Sequence, residues 1–247
     1  MKLYGKNPVL ERIKASPKTI RKLYLQKRTD LSDIVKEAKK IGLKFESVDK
    51  DWFKRECGNI HTQGVLAEIS EFQYSPFSEI LAQCLDNTFV PVFLDGVTDP
   101  QNLGSIIRNL ACMGGFSLVL PEHQSAEVNE TVLRVANGGE NYVAISKVVN
   151  IASTIKKIKE KGVWIAGAVI ENSNDIMDAT IAFPLAIVVG AEGTGIRQGV
   201  QKCLDVRLAL PMHGAALSYN VAVASALFCY EINRRRGVLT GGTNSDQ

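Results

Sequence analysis

The sequence predicts an α/β protein in which a parallel sheet covered by helices is preceded by a smaller α/β unit. Three observations predict it. From residue 90 onward short apolar runs alternate with helical-period segments, the pattern of repeated strand–helix units whose sheet is parallel and covered on both faces. Pro76 interrupts an earlier, shorter series and sets it apart from the strong strand Val90 to Leu94. The length of 247 residues accommodates one large core or two modest ones, since single domains hold roughly 100 to 200 residues. The expected division is 1–75, a linker over 76–89, and 90–247.

Each element has its own signal. In the first unit, apolar periodicity predicts helices from Asn7 to Ala15 and from Leu31 to Ile41. Strands are expected at Ile20 to Gln26, Leu43 to Val48 and Val65 to Phe72. Residues 75–87 read as a helical linker. The second unit reads as strand Val92 to Leu94, helix Leu103 to Met113, strand Phe116 to Leu120, helix Val128 to Asn137, strand Tyr142 to Ser146 and helix Ile151 to Glu160. It continues with strands Val163 to Val169 and Leu185 to Val189, a short helix after Ile196, strand Val206 to Leu210 and a last helix from Tyr219 to Arg235. The Gly-rich, polar tail after Val238 reads as disordered.

Composition excludes several classes. With 45% hydrophobic and 22% charged residues the chain has the make-up of a globular protein. No apolar run approaches the roughly 20 residues that span a bilayer, and the Lys-rich start lacks the apolar stretch of a signal peptide, so the expected compartment is the cytoplasm. Five cysteines, odd in number and never spaced C-x-x-C, read as reduced core thiols, and the three histidines show no ligand spacing, so no metal is expected. Charge is unevenly divided. Residues 1–75 carry 16 Lys+Arg against 10 Asp+Glu, whereas the remaining 172 carry 13 against 16. A basic leading unit suits a phosphate-bearing partner, and a solvated Lys-rich face accounts for it equally well.

In such sheets ligands bind beyond the carboxyl ends of strands, where loops carry specialised residues. Three loops stand out. The first runs from Asp95 through Asp99-Pro100-Gln101-Asn102-Leu103-Gly104 into a helix bearing Arg108. Asp99, Pro100 and Asn102 are ordinary helix-start chemistry. Arg108, among Ile106, Ile107, Leu110 and Ala111, is expected to need a partner, and a guanidinium beside a helix N-terminus suits a phosphate. The second loop, Gly190-Ala191-Glu192-Gly193-Thr194-Gly195-Ile196, has glycines that permit either a tight turn or close backbone approach to a ligand. Its acidic Glu192 points to a ligand or catalytic contact. Its spacing, G-x-x-G-x-G, is not the dinucleotide fingerprint, which disfavours a nicotinamide cofactor. The third loop, Leu210-Pro211-Met212 through Ser218-Tyr219-Asn220, leads into the last helix. Ser218 reads equally as N-cap or as ligand contact, and Asn220 at the start of a buried helix needs hydrogen-bond partners that a substrate would supply.

Together N-x-G-x-x-x-R, G-A-E-G-x-G and P-M-x-G-x-x-x-S-x-N, in this order, resemble the three motifs of the SpoU (TrmH-type) RNA 2'-O-methyltransferases of the SPOUT superfamily, over roughly residues 88–237. Leu3-Tyr4-Gly5-Lys6-Asn7-Pro8-Val9-Leu10 with His61-Thr62-Gln63-Gly64 is similar to the small substrate-binding domain of the 23S ribosomal RNA members. The resemblance implies a trefoil-knotted methyltransferase domain with a parallel sheet, behind an N-terminal α/β substrate-binding domain. It implies S-adenosylmethionine as cofactor, held around Gly190, Ala191, Gly195, Ile196, Leu210, Met212 and Tyr219. It further implies a homodimer with the active site near the subunit interface, and functional roles for Asn102, Arg108, Glu192, Ser218 and Asn220. Arg108 would serve as a base made competent by substrate phosphate, or as a phosphate and oxyanion ligand, with Glu192, Ser218 and Asn220 orienting it and the ribose. The chain departs from the pattern at Tyr219, usually Leu, and at Ala191, where Ser is common.

The implied reaction is methylation of a ribose 2'-hydroxyl, with a guanosine of 23S ribosomal RNA expected and transfer RNA the nearest alternative. A non-catalytic RNA-binding protein that kept the fold is the other reading, against which intact Arg108, Glu192 and Asn220 speak.

Overall fold

The computed structural model describes residues 1–214 and 217–237; the expected tail lies outside the described residues. The chain runs β1 (Lys2–Tyr4), α1 (Lys6–Ala15), β2 (Ile20–Gln26), α2 (Ser32–Lys40), β3 (Glu46–Val48), α3 (Lys50–Cys57) and β4 (Val65–Ile69). These strands form one sheet in the order β1-β4-β2-β3, in which only β2 and β3 run parallel. Helix α3 has no counterpart among the expected elements. Asp49 starts it by accepting from the Trp52 amide at 2.8 Å, and Phe53 and Cys57, four apart on one face, are buried. In a segment with this many charges that two-residue face is too narrow a signal to read from sequence.

After α4 (Phe77–Leu85) come β5 (Val90–Asp95), α5 (Pro100–Met113), β6 (Phe116–Pro121), α6 (Glu130–Ala136), β7 (Ile145–Val148), α7 (Ile151–Lys159) and β8 (Trp164–Ala168). The chain ends through β9 (Asn174–Asp175), β10 (Leu185–Gly190), α8 (Gln198–Gln201), β11 (Val206–Ala209) and α9 (Val221–Arg235). The seven strands form an all-parallel sheet in the order β7-β6-β5-β10-β8-β11-β9. Side chains alternate across it. Val92, Leu94, Ile187 and Val189 share a core with Leu103, Ile106 and Phe228 of α5 and α9, while Phe93, Ala186 and Val188 face Ile80, Ile151 and Ile155 of α4 and α7. Helices therefore cover both faces, as the alternation predicts. At the centre β5 pairs with β10, the point where the chain turns from building one half of the sheet to the other. Such a switch point opens a crevice at the strands' carboxyl ends.

Two expectations are corrected here. The strand expected from Tyr142 starts instead at Ile145, because residues 139–141 coil into a single 3₁₀ turn that packs against α5. Cys112 is exposed, not a core thiol, since it follows Arg108 by four residues on the solvent side of α5; the other four cysteines are buried.

The two sheets are joined by more than the linker. Lys2 N donates to Glu130 of α6 at 2.6 Å, and the buried Arg12 of α1 donates through Nη2 to the fully buried carboxylate of Glu140 at 2.9 Å. Burial pushes the Glu140 carboxyl above its ordinary range while Arg12 pulls it down, and Arg12 Nε and Glu140 Oε2 find no partner among the described residues. Desolvation thus outweighs attraction in this pair.

Two outcomes are expected. Removing one partner, as in Arg12→Ala or Glu140→Ala, should cost about 3–5 kcal/mol in urea unfolding, whereas Arg12→Met with Glu140→Leu together should cost far less; equal losses in all three would refute the reading of a poorly compensated pair. A thiol reagent at pH 8 should modify Cys112 quickly and the other cysteines only on denaturation, since burial pushes Cys84 up to about 12; rapid labelling of two or more would contradict it.

Candidate active site

The crevice is built on the paired ends of β5 and β10, where Gly190 lies opposite Asp95. Asp95 closes the apolar run of β5 and is 1% exposed, so its carboxylate must be paired. It accepts from Arg197 N and Arg197 Nε, each at 2.7 Å, and its carbonyl accepts from Ala191 N at 3.1 Å. These bonds tie both ends of the glycine-rich loop to the end of β5. Between them the loop folds back on itself, with Gly195 N donating to Ala191 O at 2.9 Å and Gly193 and Gly195 at φ 81° and 64°. A Cβ on Gly190 would sit 2.1 Å from the Gly195 carbonyl carbon, so only glycine permits this crossing. Sequence reading passes over Asp95, because an acid after an apolar run looks like a strand boundary; its signal is that the run leads directly into two functional loops.

The three expected loops converge. Asn220 Nδ2 donates to Asn102 Oδ1 at 2.9 Å and to Glu192 Oε1 at 2.5 Å, and Val221 N donates to the same Glu192 oxygen at 3.2 Å. Asn220 Oδ1 accepts from Ala222 N at 2.9 Å and Val223 N at 3.4 Å, so Asn220, and not Ser218, is the N-cap of α9. The partners expected from a substrate are therefore supplied by the protein. Asn102, in the first turn of α5, is held there by Asp99 and Pro100 at the helix start.

Arg108 and Ser218 do not join this network. Arg108 is exposed, contrary to the expected apolar surroundings, because Leu103, Ile106, Ile107 and Leu110 recur at three- and four-residue spacing and face the sheet while Arg108 lies off that stripe. Among the described residues neither the Arg108 nor the Ser218 side chain has a hydrogen-bond partner, so nothing there bonds Arg108 to Glu192 or Asn220.

Beside the network lies a cavity of about 600 Å³, within the range of small-molecule pockets. Gly190, Ala191, Gly195, Ile196, Leu210, Met212 and Tyr219 all line it, together with Glu192 and Ser218; Asn102, Arg108 and Asn220 do not. Sequence reading misses its fourth wall, the segment after β8 with Ile170 and Glu171, and Arg207 of β11. The signal was available: β8 and β11 end at the same edge of the sheet as β10. Among the described residues no three metal-ligating side chains cluster, and no helix is long and apolar enough to cross a membrane.

Residues 90–230 match the SpoU rRNA Methylase family, and residues 2–75 match the model for RNA 2'-O ribose methyltransferase substrate binding. A Staphylococcus haemolyticus protein named for the TrmH family of tRNA/rRNA methyltransferases is 34% identical over 239 residues, 95% of each chain. The 23S rRNA (guanosine-2'-O-)-methyltransferase RlmB of Shewanella oneidensis is 33% identical over 239 residues, 95% of this chain and 97% of that one. The fold matches the SpoU methyltransferase AviRb of Streptomyces viridochromogenes, solved with AdoMet, at a TM-score of 0.80 and 20% identity, covering 98% of this chain and 91% of that one. The chain, with its three convergent loops, belongs to the SpoU rRNA methylase family.

Proposed function

We propose that the chain transfers the methyl group of S-adenosylmethionine to a ribose 2'-hydroxyl of RNA, a guanosine of 23S ribosomal RNA in the first instance, in the cytoplasm. The observation that carries the reading is the Asn102–Asn220–Glu192 network, whose Glu192 lines the cavity. The names of the relatives support the substrate, as does the basic unit matched to substrate binding, whose Arg21, Lys22, Lys27, Arg28, Lys54 and Arg55 are exposed. We propose two units, 1–75 and 90–247 joined by 76–89, a division supported by the two separate sheets and by family matches over 2–75 and 90–230.

The cavity fits the cofactor. Gly190 lets the glycine-rich loop cross close over the strand end, Leu210, Met212 and Tyr219 offer apolar surface, Glu171 and Glu192 suit its cationic centres and Arg207 its carboxylate. When bound, the cofactor supplies an electrophilic methyl group. The chain supplies position and charge. Asn220 spends both amide hydrogens and its oxygen within the protein, which fixes Glu192. The second Glu192 oxygen and the Asn102 amide nitrogen bond to nothing among the described residues, so the amide is free to donate to a ribose oxygen and the carboxylate oxygen to accept the 2'-proton. The Arg108 guanidinium binds the neighbouring phosphate and stabilises the developing oxygen charge.

We further propose a homodimer whose site takes Arg108 from the partner. Val223, Leu227 and Tyr230 of α9, at helical spacing, are 47%, 41% and 56% exposed, an apolar stripe in need of a cover. The bond from Val221 N, at the start of α9, to Glu192 in the loop after β10 brings together the two segments that the knotted path would join.

Arg108→Ala should lower methyl transfer by at least ~10²-fold with unchanged donor affinity by calorimetry, the scale of one lost transition-state donor; near-normal turnover would remove Arg108 from the mechanism. Asn220→Ala should lower stability by about 1 kcal/mol through the lost cap and abolish most turnover. Mixing the two inactive variants should restore roughly a quarter of wild-type activity, since half of random dimers are mixed and each holds one intact site. No recovery would place Arg108 in its own chain's site.

A further inference from the structure

Tyr142 lies outside the three-loop site, yet its place is fixed from two sides. Its hydroxyl donates to the Glu11 carboxylate of α1, and the residue is 53% exposed while its neighbours Glu140 and Val143 are buried. One exposed aromatic is unremarkable on its own; what counts is where this one stands. The turn before it packs tightly on both units: a Cβ on Gly138 would lie 2.7 Å from Glu11 Cβ, and one on Gly139 would lie 3.1 Å from Arg108 Cα. Tyr142 N donates to Gly139 O at 3.0 Å, which holds the residue to that turn. The ring therefore stands at the seam between the basic leading unit and the stretch of α5 that carries the exposed Arg108. Lys14 pairs with Glu11 at 3.0 Å, so the carboxylate that anchors the ring does not stand as a bare negative charge in the path of a phosphate backbone.

We propose that the Tyr142 ring is a stacking platform for an unpaired RNA base beside the nucleotide whose ribose is methylated. The proposal rests on the RNA-methylating reading above. Unpaired bases are held on aromatic faces, a contact indifferent to base identity that contributes affinity and register. A ring tied at its hydroxyl and rooted in a buried turn pays little entropy to present that face. The hydrogen bond to Glu11, with burial and the charges of Glu11 and Glu140, pushes the phenol up to about 12, so the ring stays neutral wherever the enzyme works.

The test uses the full chain and ribosomal RNA from cells that lack it. Tyr142→Ala should weaken donor-free RNA binding and raise the KM for RNA about tenfold or more, the scale of one lost base stack. Turnover at saturating RNA, donor affinity and thermal midpoint should hold. Tyr142→Phe, which keeps the ring and loses only the tie to Glu11, should bring RNA binding back to within about threefold of wild type. Unchanged RNA binding in Tyr142→Ala would overturn the proposal, as would Tyr142→Phe binding as weakly as Tyr142→Ala. A fall to monomer mass at unchanged RNA affinity per dimer would assign the ring to a subunit contact and overturn it too. Absence of methyl transfer by the unaltered protein would count against the function, whereas donor-free binding by the two variants reads the platform separately.

Discussion

The pairing of β5 with β10 at their carboxyl ends is the constraint from which the site follows. Two central strands packed by apolar side chains on both faces are held in register by how those particular side chains fit each face, since a slip of one residue would exchange the two sets between differently shaped cores. Asp95 and Gly190 are thereby set side by side. The buried Asp95 carboxylate then has no water to turn to, and its charge-assisted bonds to Arg197 determine how the glycine-rich loop closes. The same loop delivers Glu192 to the start of α9. A rigid floor under mobile chemistry is how α/β sheets carry function on loops.

Given that floor, three segments whose contact residues lie 90 and 28 positions apart along the chain meet through one amide. Each hydrogen bond of Asn220 is worth only about 1 kcal/mol net, and the group is exposed. The arrangement persists because one side chain serves as helix cap and as bridge at once, so losing the bridge also frays α9. Glu192 is left with one oxygen committed and one open, the state in which a carboxylate both keeps its place and meets a substrate. The Asn102–Asn220–Glu192 part of the site is set by bonds within the chain itself, the kind of preorganisation from which catalytic sites draw benefit.

The alternation of strands and helices, and with it the sheet and both covered faces, is legible in the sequence because period-two and period-3.6 patterns are local. So are the loops, where glycines cluster at strand ends. Partnerships across space are not. Asn220 reads as an unsatisfied polar group, since its partners Asn102 and Glu192 lie 118 and 28 residues away. Arg108 is misread for a different reason: its sequence neighbours are apolar, but on a helix neighbours are three and four residues apart, and by that rule it lies off the buried stripe. Helix α3 and the turn at 139–141 escape because their local signals are short, and the partners that bury them, Tyr24 and Leu66 for α3 and Arg12 for the turn, lie elsewhere in the chain.

The seam between the two units shows why docking matters for the reaction. A module on a loose tether would raise the local concentration of RNA and leave the ribose free to wander, whereas methyl transfer needs an in-line approach to within tenths of an ångström. Here α1 is locked to the turn at 138–141 by a buried ion pair, and that turn is pressed against the Arg108 stretch of α5. The pair is a poor source of stability, because desolvation outweighs its attraction. What a charged pair adds over an apolar one is direction, and direction is the property this seam requires. Binding energy gathered by the basic unit, far from the reacting oxygen, is then available to hold the ribose against the loops instead of being lost to motion between domains.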